Sequence, residues 1–273
     1  MRKKFLVFAM ILMAAILSGC GSSDEKSSGD KQQIKVGAIT QLNTKPENAR
    51  TLINGAEMNF FDNFNSMQMA LSSGNINAIQ TYGSVAKYMA AQNPDLKITE
   101  SQTVSLVDNF CCAMRKDNVA LKNLFDSAIT AMKSDGTLDA LVDKYVTNFD
   151  ENPIPVDIPK IDGAETIKVG VTGDLPMLDY VTADGKPAGF NTAVLSEISK
   201  RISKNIEFVH IESAARAAAL ESGQVDVVFW VIVPNEDSDR PKDFDVPEGV
   251  AVTDPYYQDV VVNVNLSSFD IDF

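Results

Sequence analysis

The chain has 273 residues, with 24 Lys and Arg against 37 Asp and Glu, giving a formal net charge of −13. A surface of that sign repels phosphate backbones and argues against nucleic acid as a partner. Hydrophobic residues make up 45% of the chain, enough to build one large domain or two lobes.

The N-terminus opens with Arg2, Lys3 and Lys4, followed from Phe5 to Leu17 by an apolar run too short to span a bilayer comfortably. Leu17-Ser18-Gly19-Cys20 comes next. Small residues before the bond to be cut, and a thiol at the new N-terminus, match the lipobox of bacterial lipoprotein signal peptides. Residues 1–19 are therefore expected to be a signal peptide, and Cys20 the lipidated residue, with palmitate among its acyl chains. Such an anchor holds a protein at the extracytoplasmic face of the cell membrane without a transmembrane helix. The alternative is an ordinary secretory signal with a chance cysteine, but residues 20–33 form a Gly/Ser/Asp/Lys tether of the kind a lipoprotein needs. Loss of the leader takes the net charge to about −16.

Beyond the tether the chain echoes itself. Ile34-Lys35-Val36-Gly37 recurs as Ile167-Lys168-Val169-Gly170. Each opens a segment that later reads as a helix ending in Ser-Gly and then an apolar strand. The first such ending is Ser73-Gly74 before Ile76 to Ile79; the second is Ser222-Gly223 before Val225 to Val228. Glycine suits a helix C-cap, and β-branched residues begin a buried strand. Strand, helix, strand, twice over, predicts two α/β lobes with largely parallel sheets. Between them, Phe110-Cys111-Cys112-Ala113-Met114 reads as a core strand. Adjacent cysteines there are small core residues rather than a redox pair, because the ring they would close strains the peptide between them. A helical stretch from Asn118 to Asn148 is broken near Asp135-Gly136, and Asn152 to Pro159 is a stiff Pro-rich connector. His210, the single histidine, falls in a predicted strand and reads as structural. There is no metal signature, and no cofactor is expected.

Residues 167–257 resemble the first lobe of the polar-amino-acid family of solute-binding proteins (family 3, ABC importers). The marks are Val169-Gly170-Val171-Thr172-Gly173-Asp174-Leu175-Pro176-Met177-Leu178-Asp179-Tyr180, then Asp184-Gly185-Lys186-Pro187-Ala188-Gly189-Phe190-Asn191, then Thr253-Asp254-Pro255-Tyr256-Tyr257. Residues 34–148 resemble the second lobe of the same family, through Ser84-Val85-Ala86-Lys87-Tyr88-Met89, Asn93-Pro94-Asp95-Leu96 and Met132-Lys133-Ser134-Asp135-Gly136-Thr137-Leu138. The resemblance implies an α/β fold, a two-lobed type II periplasmic-binding-protein-like clamshell, here circularly permuted. The family runs first lobe, crossing strand, second lobe, return strand and helices. This chain instead places a second-lobe-like unit at 34–109, return strand and helices at 110–150, and the connector at 151–165. A first-lobe-like unit at 166–259 and a crossing strand and tail at 260–273 follow. Mismatched halves of a tandem duplication are the competing explanation. A permutant requires the two chain ends to lie close together, the return strand Phe110 to Met114 to lie beside the crossing strand Val260 to Val264, and the connector to run outside the hinge.

In such a fold two lobes close on a ligand by hinge motion, and a membrane permease recognises the closed form. Ligand groups are expected at strand C-termini and helix N-termini. That places Thr172, Asp174 and Tyr180 at the cleft in one lobe, and Thr40, Asn43 and Tyr82 in the other, with Tyr256 in the family's Asp-Pro-Tyr-Tyr run. Trp230, at the end of an apolar strand, is expected to line the cleft with Tyr180 while Tyr82 faces them. The alternative for Tyr180 and Trp230 is a core position. The family's carboxylate-gripping Arg has no counterpart in register; Arg240 and Arg216 are the candidates. No acid stands at Tyr82, where the family places the aspartate for the α-ammonium. The expected function is extracytoplasmic capture of a small polar solute, an amino acid or derivative among the candidates, for an ABC importer. Expected partners are that small-molecule ligand, the ABC permease and, through the lipid anchor, the membrane. A sensing receptor of the same fold and a dehydratase-like enzyme are the alternatives.

Overall fold

A computed structural model of the chain describes residues 33–42, 50–101, 103–153, 155–240 and 246–271. The signal peptide, Cys20 and Asn43 lie outside these residues. The N-terminal lobe holds β1 (Lys35–Ile39), β2 (Glu57–Phe61), α1 (Phe64–Ser72), β3 (Ala78–Tyr82), α2 (Gly83–Gln92) and β4 (Leu96–Thr99). Then come β5 (Val107–Arg115), α3 (Val119–Ser134), α4 (Thr137–Val142) and a π-helical turn, Asp143–Thr147. The C-terminal lobe holds β6 (Thr166–Val171), β7 (Asp174–Leu175), β8 (Asp179–Val181), β9 (Pro187–Ala188), α5 (Phe190–Ile202) and β10 (Asn205–His210). It continues through a 3₁₀ turn, Ser213–Ala215, to α6 (Arg216–Glu221), β11 (Val227–Pro234), β12 (Val250–Val252) and β13 (Tyr257–Leu266).

The sequence echo is a structural echo. In each lobe the first strand sits between two parallel partners, β1 between β2 and β3, β6 between β10 and β11. Both helix-to-strand steps turn through a left-handed glycine, Gly74 at φ 74° and Gly223 at φ 72°. After each glycine a polar side chain clasps the opening strand. The Lys35 amide donates to Asn77 Oδ1 (2.8 Å) while the Asn77 amide donates to the Lys35 carbonyl (2.7 Å). Asp226 makes the same two bonds with Lys168, at 2.9 and 2.8 Å. The repeated glycine is explained too. A Cβ on Gly37 would lie 2.6 Å from Ile76 Cδ1, and one on Gly170 would lie 2.5 Å from Ile211 Cδ1 and 3.3 Å from Val225 Cγ1. Close packing of the next loop onto the strand requires the missing side chain.

All the larger strands join one curled sheet in the order β10-β6-β11-β5-β13-β3-β1-β2, with β12 also on β5 and β4 also on β13. β11 is a near-continuous apolar run, buried on both faces as a central strand should be. Two crossings join the lobes. β13 pairs with β5 from Tyr257 to Val260, then with β3 and β4 from Val261 onward. The Val261 amide donates to the Leu106 carbonyl at 2.8 Å, beside the point where the chain enters β5. The contact is displaced from the one expected: Val107–Phe110 pair with Tyr257–Val260. Cys111–Met114 instead pair with β11 and β12, and Val261–Val264 with β3 and β4, because each strand leaves the other for the sheet of its own lobe. Ile271, the last described residue, packs on the same small cluster of Val36, Ile53 and Ala78 as Ile34; the expected position of Phe273 lies outside the described residues.

α3 and α4 break at Gly136 (φ 77°). They lie against α5 of the C-terminal lobe, where Arg201 Nη2 donates to Asp135 Oδ2 (2.7 Å) and Thr137 Oγ1 (3.0 Å). The connector starts against α2, where Tyr88 Oη and Gln92 Nε2 donate to the Glu151 carbonyl, and then runs along the C-terminal lobe. The Val156 amide donates to the Pro187 carbonyl, and Ser196 Oγ donates to that of Asp157, both at 2.9 Å.

Candidate functional site

The lobes meet at Trp230. A bulge in the β11–β5 ladder between Phe229 and Val231 takes Trp230 out of register, freeing its carbonyl. Arg216, at the start of α6, donates to that carbonyl from Nη1 (2.7 Å) and lies 5.0 Å from the indole centroid. Its Nε donates to the Ser213 carbonyl (3.2 Å), and its Nη2 reaches the other lobe, donating to the Thr40 carbonyl (3.1 Å) just beyond β1. The Ser213 amide donates to the Asp62 carbonyl at 3.2 Å, and Thr40 Oγ1 donates to Asp62 Oδ1 at 3.0 Å. Guanidinium and backbone thus tie the two lobes together at the C-terminal ends of their strands.

Aromatic rings fill the space beside this tie. Tyr82, at the end of β3, meets Trp230 edge-on at 5.9 Å and Phe110 at 4.6 Å, while Phe110 lies 5.5 Å from Trp230. Trp230 is 1% exposed and Tyr82 6%. Such edge and tilted pairs are favoured by ring quadrupoles and exclude water. The expected facing of Trp230 and Tyr82 across the lobes is present, but the two rings touch one another. The adjoining cavity, about 30 Å³, is lined by Ile39, Gln41, Gln80, Tyr82, Leu175 and Arg240 among others.

The remaining candidates are dispersed. Arg240 donates from Nε to both carboxylate oxygens of Asp108, at 3.0 and 3.2 Å, inside the protein. Burial raises the Asp108 carboxyl above its ordinary range, and the Arg240 charge pulls it back. Thr172 donates from both N (2.9 Å) and Oγ1 (3.0 Å) to Asp179, closing the loop after β6. Asp174 pairs through its backbone with Tyr180 in a small three-stranded sheet, β7-β8-β9. That sheet carries Tyr180 to a groove facing α1 and α2, away from Trp230. Tyr256 is a core side chain, stacked on Phe229 at 5.0 Å, with its hydroxyl donating to Asn191 Oδ1 at 3.1 Å. Cys111 and Cys112 are buried in β5, and burial pushes the Cys111 thiol up to about 12, far from a redox poise.

Two acids at the junction escaped the sequence reading. Asp108 interrupts an apolar strand, a visible signal of a buried partner. Asp259 accepts from the Ser84 amide (3.1 Å) at the N-terminus of α2 and from the Tyr257 hydroxyl (3.2 Å), fastening β13 to the N-terminal lobe. Burial raises its carboxyl, with the Ser84 contacts opposing. No group of His, Cys, Asp and Glu among the described residues is arranged to hold a metal ion.

Residues 167–268 match the bacterial extracellular solute-binding proteins, family 3. The family 3 match covers the C-terminal lobe and β13. The N-terminal lobe repeats the same strand arrangement ahead of it. No curated protein matches the sequence. Among solved structures, the ligand-binding component of an ABC-type import system from Staphylococcus aureus, with zinc bound, is 14% identical. The match covers 87% of this chain and 67% of that one, with a TM-score of 0.44. The GluR0 ligand-binding core in complex with L-glutamate is 10% identical over 88% and 87%, at 0.43. The reduced OxyR regulatory domain from Pseudomonas aeruginosa is 12% identical over 88% and 91%, at 0.37.

Proposed function

We propose that the protein captures a small polar solute outside the cytoplasm and delivers it to an ABC importer, held to the membrane by a lipid on Cys20. The family match over a complete lobe carries this reading. Two α/β lobes that repeat one strand arrangement and together wall a groove of solute size support it. Binding rather than bond-breaking is the work such a geometry does. No helix among the described residues is long and apolar enough to cross a membrane, and the anchor assigned here is Cys20 with its lipobox. Cys20→Ser should move the chain from the membrane to the soluble extracytoplasmic fraction; full retention at the membrane would remove the lipid from the account.

The binding claim is tested by melting the purified full chain against a panel of amino acids, short peptides, saccharides and carboxylic acids. A solute that binds only the folded state raises the melting temperature. At least one panel member should do so, saturably; a cooperative melt that no solute shifts would overturn the solute-binding reading.

A further inference from the structure

We infer that the solute is an uncharged polyhydroxylated molecule, a mono- or disaccharide in size, held in the groove between α1, α2 and the β7–β8 hairpin. This deepens the solute-binding reading above and rests on it. The groove has a volume of about 340 Å³, and small-molecule sites run from roughly 300 Å³ upward. Both lobes build its walls, so an occupant would bridge them. Asn65, Gln68 and Ser72 stand at i, i+3 and i+7 on one face of α1. Gln92 and Asn93 come from the end of α2, and Tyr180 from the hairpin opposite.

The lining contains no Asp, Glu, Lys, Arg or His, in a chain that is 22% charged. Neither end of a zwitterion would find a counter-charge among the lining side chains, so charge on the solute gains nothing there. A hydroxyl both donates and accepts, and so does a carboxamide, so amides at fixed spacing suit a sugar. Two of them are already oriented. Gln92 Nε2 donates to the Glu151 carbonyl (3.4 Å), and Asn93 Oδ1 accepts from the Asp95 amide (3.0 Å). Tyr88 and Tyr180 also line the groove, and aromatic rings suit the C–H face of a pyranose. The junction at Trp230 offers the opposite. Its cavity is about 30 Å³, and the guanidiniums of Arg216 and Arg240 are bound to protein oxygens.

The test is calorimetric titration of the full chain with glucose, maltose and sucrose, and separately with glutamine, glutamate and arginine. One of the saccharides should bind and none of the amino acids. The double variant Asn65→Ala/Gln68→Ala, on the outer face of α1, should melt as the parent does and bind that saccharide at least tenfold more weakly. Saccharide binding unchanged in the variant would overturn the placement. Amino-acid binding would overturn the solute class while leaving the solute-binding reading intact. Binding of neither set would overturn this inference alone, unless the wider solute panel also failed, when the reading beneath it falls too.

Discussion

Arg216 shows how one side chain can decide whether two lobes behave as one body. Three of its N–H groups go to carbonyls of Ser213, Trp230 and Thr40, and the last belongs to the other lobe. The side chain is fully buried. Arg216→Met would preserve length and apolar packing but leave these carbonyls without their donor. Hydrogen bonds to a charged group are worth about 1.5–3 kcal/mol each, and a buried orphan acceptor costs about as much. The loss of unfolding free energy should be roughly 3 kcal/mol or more, read from urea denaturation. A loss within ~0.5 kcal/mol, the range of a neutral surface change, would show that the guanidinium is dispensable to the lobe contact.

At the scale of elements, much of the fold was legible before any coordinates. The Ser-Gly steps announced Gly74 and Gly223, and the repeated Ile-Lys-Val-Gly announced β1 and β6, because caps and close approaches leave local residue signatures. Trp230 was not legible as what it is: expected at a strand end lining a cleft, it stands inside β11 at a bulge, buried against Tyr82 and Phe110. Tyr180 was not legible: its direction depends on pairing within β7-β8-β9, and a one-residue slip would reverse it. The Arg240–Asp108 pair spans 132 positions, and no local pattern encodes that. Asn65, Gln68 and Ser72 could have been found as an amide stripe at helical spacing, a signal weaker than charge.

The attachment of α3 and α4 to α5 makes a pH prediction at this same scale. Hydrogen bonds from Thr137 and Arg201 hold the Asp135 carboxyl down at about 2, against an ordinary 3.8. Its contribution to stability is therefore complete above pH 3.8 and is lost as the pH falls toward about 2. In Asp135→Asn, the fall in melting temperature across that window should be smaller than in the parent. An identical acid profile would show that the contact carries no weight.

For the whole molecule, chain order and fold are separable. Ile34 and Ile271 share one cluster, so joining the C-terminus to Ile34 through a short linker, and opening the chain in the connector, should give the family's usual lobe order. The rearranged chain should melt cooperatively as a monomer, close to the parent; aggregation or an obligate dimer would favour mismatched halves. The lobe junction itself has a built-in reporter, because Trp230 is the single tryptophan. Rings and a guanidinium enclose it, leaving 1% of its surface exposed. Acrylamide quenching of Trp230 fluorescence in the solute-free full chain tests most directly whether the lobes are joined by their own side chains. The packing predicts blue-shifted emission that acrylamide barely quenches and that solute leaves unchanged. A red-shifted, readily quenched emission, turning blue only when an amino acid is added, would mean an open cleft at Trp230 and would contradict it.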